Sequence, residues 1–231
     1  MSNVMPAAVL LDFDGTLVDT EPFWMQGEVD LLTPMGVPWT LPEASVLSGT
    51  SKENSIDVLF AQMAAHGVDT SSIDPEVFYE QLFQKVIDAI ELQGAPWLPG
   101  VVELLADLKA NNIPCGIVSS SPASVLDAGL KQFPPGVISV VVDGQMVSGA
   151  KPEPDAYLLA AQLLGVAPSD CIVLEDTLSG TTAGLAAGAV VIAIPREAGL
   201  ADVPGQVILD SLEGVDVARL RQIFREVRQG K

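Results

Sequence analysis

Positive charge is scarce in this chain. Of its 231 residues only 11 are lysine or arginine, against 30 aspartates and glutamates, which leaves a net charge of −19. Nucleic acid and anionic lipid surfaces are both bound through basic patches, so this balance excludes nucleic acid and membrane as partners. Cysteine is nearly absent too. Cys115 and Cys171 each begin an apolar strand-like run, read as core packing, and two such residues make no disulfide framework. The single histidine, His66, falls beside Gly67 at an expected helix end, where its charge would suit the helix dipole, and it is given no catalytic role. Long apolar runs are also missing. Residues 178–195 carry no charge, but Ser, Thr, Gly and Pro interrupt them, so they read as helix then strand and not as a membrane span. Gly180, Gly184 and Gly188 recur there at every fourth position, as expected of a helix pressed closely onto a sheet. No basic leader precedes the first apolar run, which gives the expectation of a cytoplasmic protein.

What is present is arranged as short apolar runs that end in polar clusters. Hydrophobic residues make up 48%, enough for a sizeable core in one large domain or in a domain with an insertion. Residues 8–11, Ala-Val-Leu-Leu, run straight into Asp12-Phe13-Asp14-Gly15-Thr16. Aspartate is depleted in strand interiors, so two of them one residue apart need a reason, the plain one being a capped turn beside Gly15. Three more runs end in the same way. Residues 113–118 lead into Ser119-Ser120-Ser121-Pro122, and residues 171–174 into Glu175-Asp176. Residues 137–142 precede, after a short turn, Lys151-Pro152-Glu153-Pro154-Asp155. Each is followed by a helical pattern. Strands alternating with helices imply an α/β fold, a doubly wound parallel sheet with a Rossmann-like core, whose loops share one edge. That edge would collect Asp12, Asp14, Ser119, Lys151, Glu175 and Asp176, and in open α/β sheets it is where ligands bind.

Between the first strand and the next, near Ile113, the texture changes. Glu21–Leu32, Lys52–Ala65 and residues 75–92 show helical periodicity, with Phe, Trp, Met and Leu on one face. Ser51 is expected to cap the second of these helices. Gly94-Ala95-Pro96-Trp97-Leu98-Pro99-Gly100 is a breaker-rich return. Residues 19–95 therefore read as an inserted small α-helical domain, and residues 1–18 with 96–231 as the α/β core. In the core, helices are expected at residues 101–110, 123–131, 154–164, 180–187 and 217–227. Strands are expected at 113–119, 137–142, 172–174, 190–194 and 206–209.

In order and spacing, the four polar clusters resemble the four motifs of the haloacid dehalogenase-like phosphohydrolases. The first is Asp12-Phe13-Asp14-Gly15-Thr16, the second Ser119 after Gly116-Ile117-Val118, the third Lys151 before Pro152-Glu153-Pro154-Asp155, and the fourth Glu175-Asp176. The resemblance covers almost the whole chain. It is nearest to the sugar-phosphate phosphatases and β-phosphoglucomutase, which carry a helical cap after the first motif. It implies Mg²⁺-dependent hydrolysis of a small phosphate monoester, with Asp12 as nucleophile, because a carboxylate can split one hard phosphoryl transfer into two easier steps. Asp14 would protonate the leaving oxygen and then activate water; the dehalogenase and phosphonatase branches place other residue types there. Mg²⁺ prefers oxygen ligands, and Asp12, the backbone carbonyl of Asp14 and Asp176 would hold it, with Glu175 acting through an intervening water. Lys151 would pair with the phosphoryl group and the nucleophile, a solvated loop lysine being the plain alternative. Ser119 would donate to a phosphoryl oxygen, with Ser120 as a further substrate contact. A helix N-cap is the competing role for these serines, and it fits Ser120 or Ser121 as well.

Leu47-Ser48-Gly49-Thr50-Ser51-Lys52-Glu53-Asn54 resembles the specificity loop of β-phosphoglucomutase. Lys52 would reach a distal part of the substrate, or else face solvent. The mutase pattern has a histidine where Trp24 stands in Glu21-Pro22-Phe23-Trp24. That departure favours a phosphatase for sugar or polyol phosphates over β-phosphoglucomutase-like phosphotransfer, which is the alternative. The competing non-enzymatic class is a phosphoacceptor receiver domain. It needs an acceptor Asp at the end of its third strand and has no cap, whereas here the strand after the insertion ends in Ser119. The expected partner is a small phosphorylated metabolite; neither the ester nor an oligomeric state is named by the sequence.

Overall fold

The apolar run Ala8–Leu11 forms strand β1 and is enclosed along its whole length. It is the first element of the computed structural model, which describes residues 5–47, 50, 52–196, 200 and 203–230. The chain divides into two compact units, Met1–Asp19 with Pro96–Lys231, and the inserted Thr20–Ala95. The inserted unit is helical, with α1 (Glu21–Leu32), α2 (Leu41–Ala44), α3 (Lys52–Ala65) and α4 (Pro75–Gln93). Pro75 opens α4, and the Asp74 carboxylate accepts the Glu76 N–H at 2.9 Å, a start legible in the sequence. Helix α2 has no counterpart among the expected elements. It is too short to show a period, but the Glu43 carboxylate reaches back to accept the N–H of Thr40 at 3.0 Å, the bond that the glutamate of a Thr-x-x-Glu capping box supplies. Leu32, Val37, Trp39, Leu59, Met63 and Phe78 give this unit an apolar core of its own. His66 stands in the turn after α3, its Nδ1–H donating to the Gln62 carbonyl at 2.9 Å. Ser48, Gly49 and the expected cap Ser51 lie outside the described residues.

Among the described residues, the other unit forms a six-stranded sheet in the order β3-β2-β1-β4-β5-β6, with helices packed on it. Its further strands are β2 (Cys115–Val118), β3 (Ile138–Val142), β4 (Cys171–Glu175), β5 (Val190–Ala193) and β6 (Val207–Ile208), and every pairing is parallel. Strands β1, β2, β4 and β5 are buried at every position, as a sheet covered on both faces requires. Ala8 and Leu10 join Val118, Tyr157, Ala160, Cys171, Val173 and Ala183 in one cluster, so Val9 and Leu11 serve the opposite face. The helices are α5 (Val101–Ala110), α6 (Ala123–Leu130), α7 (Asp155–Leu164), α8 (Leu178–Ala186) and α9 (Val217–Arg228). Helix α7 packs on β1, β2 and β3, and α8 on β4 and β5.

Strand β2 is shorter than residues 113–119, because Pro114 accepts the Val9 N–H at 3.0 Å but has no N–H to return. The three spaced glycines divide their roles. Only Gly184 presses α8 onto the sheet, where a Cβ would meet Val191 at 3.0 Å and Val173 at 3.1 Å. Gly180 makes room for Glu175, while Gly188, at φ +83°, lies past the helix end and terminates it.

Candidate active site

Strands β1 and β4 are neighbours in space although the chain visits β2 and β3 between them. The order of strands therefore reverses at this pair, the position at which open α/β sheets bind ligands. Leu11 pairs with Leu174, and the Asp12 N–H bonds the Leu174 carbonyl at 3.0 Å, so Asp12 and Glu175 emerge side by side. On the other flank Leu11 pairs with Ile117, which brings Ser119 to the same edge.

The turn after β1 admits no other residue at Gly15. Its φ is +83°, and a Cβ there would lie 2.1 Å from Oδ2 of Asp176. The missing side chain lets the first and fourth clusters meet, and the Thr16 hydroxyl fastens them by donating to Asp176 Oδ1 at 3.0 Å.

Lys151 lies at the centre. Its ammonium donates to Asp12 Oδ1 at 2.6 Å, Glu175 Oε1 at 2.6 Å and the Val118 carbonyl at 3.1 Å, with 6% of its side chain exposed. It is no solvated loop lysine. Glu175, with no exposed surface, is held from every side. Its Oε1 also accepts the Tyr157 hydroxyl at 2.7 Å, and its Oε2 accepts the N–H groups of Asp176 (3.0 Å) and Thr177 (3.2 Å) and the Thr177 hydroxyl (3.0 Å). A Cβ on Gly180 would come within 1.7 Å of Oε1, so glycine at that position gives the carboxylate its space.

Asp14 turns to different partners. Its Oδ2 accepts the hydroxyls of Ser121 at 2.7 Å and Ser119 at 3.2 Å, while Ser119 Oγ accepts the Ser121 N–H at 3.0 Å. Ser121 is thus no N-cap of α6, a position that Pro122 fills without a side-chain bond. Ser120 is exposed. Lys52 belongs to the inserted unit, where it pairs with Glu76 and lies 5.7 Å from the centre of the Tyr79 ring. Thr16, Ser121, Tyr157 and Thr177 escape sequence reasoning, since a lone hydroxyl carries no pattern. Arg196 escapes it as well. It follows β5 and lies 3.1 Å from Asp19 Oδ1, an ion pair by distance whose N–H is not aligned as a hydrogen bond.

The cluster is electrostatically unbalanced. Burial, followed by repulsion from Glu175, holds the Asp12 carboxyl well above the usual carboxylate range, with Lys151 opposing. Burial and Glu175 likewise push Asp176 up to about 7, against the Thr16 hydrogen bond and the charges of Lys151 and Arg196. Burial alone would lower Lys151, but Asp12 and Glu175 outweigh it and keep the ammonium charged. Asp12, Glu175 and Asp176 each offer an oxygen within 4.8 Å of the others. These are hard, anionic donors that suit an oxygen-seeking divalent cation, and a cation there would relieve the repulsion that raises both aspartates. Both Glu175 oxygens already accept hydrogen bonds, as do Oδ1 of Asp12 and Oδ1 of Asp176.

Removing the lysine should expose this imbalance. Lys151→Met leaves two buried carboxylates without their shared cation, for which a loss of about 3–5 kcal/mol in unfolding free energy is expected in denaturant titration. An unchanged midpoint would contradict the account of Lys151 as the centre of the site.

Known proteins carry the same framework. The signature described as haloacid dehalogenase-like hydrolase matches residues 9–194. Hexitol phosphatase A of Escherichia coli (strain K12) is 37% identical over 214 residues, covering 91% of this chain and 93% of that protein. Beta-phosphoglucomutase of Bacillus subtilis (strain 168) is 29% identical over 185 residues, covering 78% of this chain and 80% of its own. Among solved structures, CbbY from Rhodobacter sphaeroides in complex with phosphate superposes with a TM-score of 0.78 at 27% identity, covering 94% of this chain and 99% of that one. With its four clusters assembled on one sheet edge, the chain is a phosphatase-type enzyme belonging to the haloacid dehalogenase-like hydrolase family.

Proposed function

We propose that the enzyme hydrolyses a small sugar or polyol phosphate, with a hexitol phosphate as first candidate, through a phosphoryl group carried on Asp12. The observation that supports this most is the unlike pairing of two carboxylates on one turn: Asp12 against the Lys151 ammonium, and Asp14 against two serine hydroxyls. Carboxyl groups in contrasting surroundings suit contrasting tasks, here nucleophile and acid–base.

Asp12 attacks phosphorus while Asp14 gives its proton to the departing ester oxygen, which leaves as the alcohol. Asp14, now a carboxylate, takes a proton from water as that water attacks phosphorus; the Asp12–phosphate bond breaks and inorganic phosphate leaves. Lys151 donates to the phosphoryl oxygens, as does Ser119 once its one hydroxyl proton turns from Asp14, with Ser120 beside them as a further contact, and Glu175 orients Lys151. When bound, Mg²⁺ supplies the positive charge that lets an anionic ester approach these carboxylates. Asp12, Asp176 and the Asp14 carbonyl would hold it. The inserted helical unit acts as a cap that excludes water and selects substrate, with Lys52 as a candidate contact. The setting proposed is cytoplasmic, and no helix among the described residues is long and apolar enough to cross a membrane.

The 37% identity to hexitol phosphatase A favours a hexitol ester. The likeness to beta-phosphoglucomutase supports a second reading, phosphotransfer between positions of one sugar. Trp24 weighs against it. Packed edge-on to Phe83 with ring centres 5.8 Å apart, Trp24 offers no ionisable group to keep water from the phosphorylated aspartate.

A panel of phosphate monoesters incubated with Mg²⁺ should release phosphate, fastest from hexitol phosphates, and Asp12→Asn should bring release to background with the fold intact. A folded Asn variant with a tenth of normal activity would overturn the assignment. With β-glucose 1-phosphate and a bisphosphate activator, isomer conversion outpacing phosphate release would promote the mutase instead. Cation binding should also depend on pH. Asp176, held near 7, must lose its proton to ligate, so ligation is favoured above that value and lost below it. Calorimetric Mg²⁺ titration of the metal-free protein should show affinity falling by about tenfold from about pH 8 to pH 6. A constant affinity across that interval would contradict the ligand assignment.

A further inference from the structure

Lys151 has three N–H protons, and all three are engaged, by Asp12 Oδ1, Glu175 Oε1 and the Val118 carbonyl. An ammonium has no fourth donor. For Lys151 to reach a phosphoryl oxygen, as the proposed function requires, one of these bonds must be released. Which release is tolerable depends on what each acceptor keeps, because a buried carboxylate oxygen stripped of its donors is costly.

Glu175 Oε1 is the acceptor with a second donor already in place. The Tyr157 hydroxyl lies 2.7 Å from that same oxygen, on a wholly buried side chain of α7. The ring extends alongside the lysine, with Nζ 5.2 Å from its centre, so the ammonium keeps a favourable cation–π contact as it turns away. Thr177 and the Asp176 and Thr177 amides fasten only the other oxygen, Oε2. Without the phenol, Lys151 would be the only donor to Oε1 among the described residues and would be held there.

We propose that Tyr157 is a positioning residue that keeps Glu175 satisfied while Lys151 transfers a hydrogen bond from Glu175 to the phosphoryl group. Tyr157 touches neither substrate nor cation; it sets how freely the lysine can leave. The role rests on the proposed phosphatase chemistry.

Tyr157→Phe removes the hydroxyl and keeps the ring, so packing alone predicts no kinetic change. The hydrogen-bond transfer predicts a kcat about tenfold lower and inhibition by inorganic phosphate about tenfold weaker, with the Mg²⁺ concentration for half-maximal activity unchanged. Tyr157→His returns a ring N–H donor and should recover part of both losses. It also serves as the second test if the Phe variant does not fold. Wild-type kcat and phosphate inhibition in Tyr157→Phe would overturn the proposal. So would a loss matched by an equal shift in the Mg²⁺ requirement, since the tyrosine would then act through the cation's carboxylates. A wild-type protein that neither cleaves phosphate monoesters nor binds inorganic phosphate would refute the proposed function itself. An active wild type with an unaffected Phe variant would refute only the role of Tyr157.

Discussion

One ammonium shared by two buried carboxylates is the constraint that shapes this site. Lys151 lies between Asp12 and Glu175 with almost no exposed surface, and ions so placed cost several kcal/mol each unless charge and hydrogen bonds compensate. The neighbouring features follow from that need. Gly180 is small because Glu175 fills the space a Cβ would take; Thr177 and Tyr157 donate to the two oxygens of that carboxylate; Thr16 steadies Asp176. Apolar residues of like volume would often be as stable or more so. A polar network this complete, set where the strand order reverses, is therefore better explained by chemistry than by stability.

The same economy of positive charge governs how an anion is attracted. With a net charge of −19, the field of the whole chain opposes a phosphate ester, so attraction must be local. Four of the five arginines, Arg219, Arg221, Arg225 and Arg228, lie on α9, and the fifth, Arg196, is close enough to Asp176 to oppose the rise in its pKa. Three acidic side chains around one lysine leave the cluster short of positive charge, and a divalent cation fits that deficit. Substrate affinity should then depend on the cation far more than on any surface feature.

Much of this was legible in the residues. Continuous apolar runs that end in Asp, Ser or Glu, alternating with helical patterns, imply a parallel sheet with its polar ends on one edge, and Asp12, Asp14, Ser119, Lys151, Glu175 and Asp176 do gather there. What escaped was whatever depends on tertiary distance. Thr16 and Asp176 are 160 residues apart, and nothing in either local pattern announces the bond between them. Ser121, beside Pro122, looks like a helix cap, but its hydroxyl finds the stronger acceptor in Asp14. Tyr157 sits at a core position of α7, where an apolar face is all that periodicity can show. Glu175 takes five hydrogen bonds, from Lys151, from Tyr157 and from its own loop, and no local pattern in the sequence announces them.

Asp12 is proposed to carry the phosphoryl group between two half-reactions. Acid-quenching the enzyme during steady turnover of a phosphate monoester, then digesting it and weighing the peptides, addresses that claim directly. One added phosphoryl group should appear on the peptide that holds Asp12, and should vanish after brief treatment with hydroxylamine, which cleaves acyl phosphates. A fully active enzyme whose Asp12 peptide stays unmodified at every quench time, or whose phosphoryl group lies on another residue, would contradict the account.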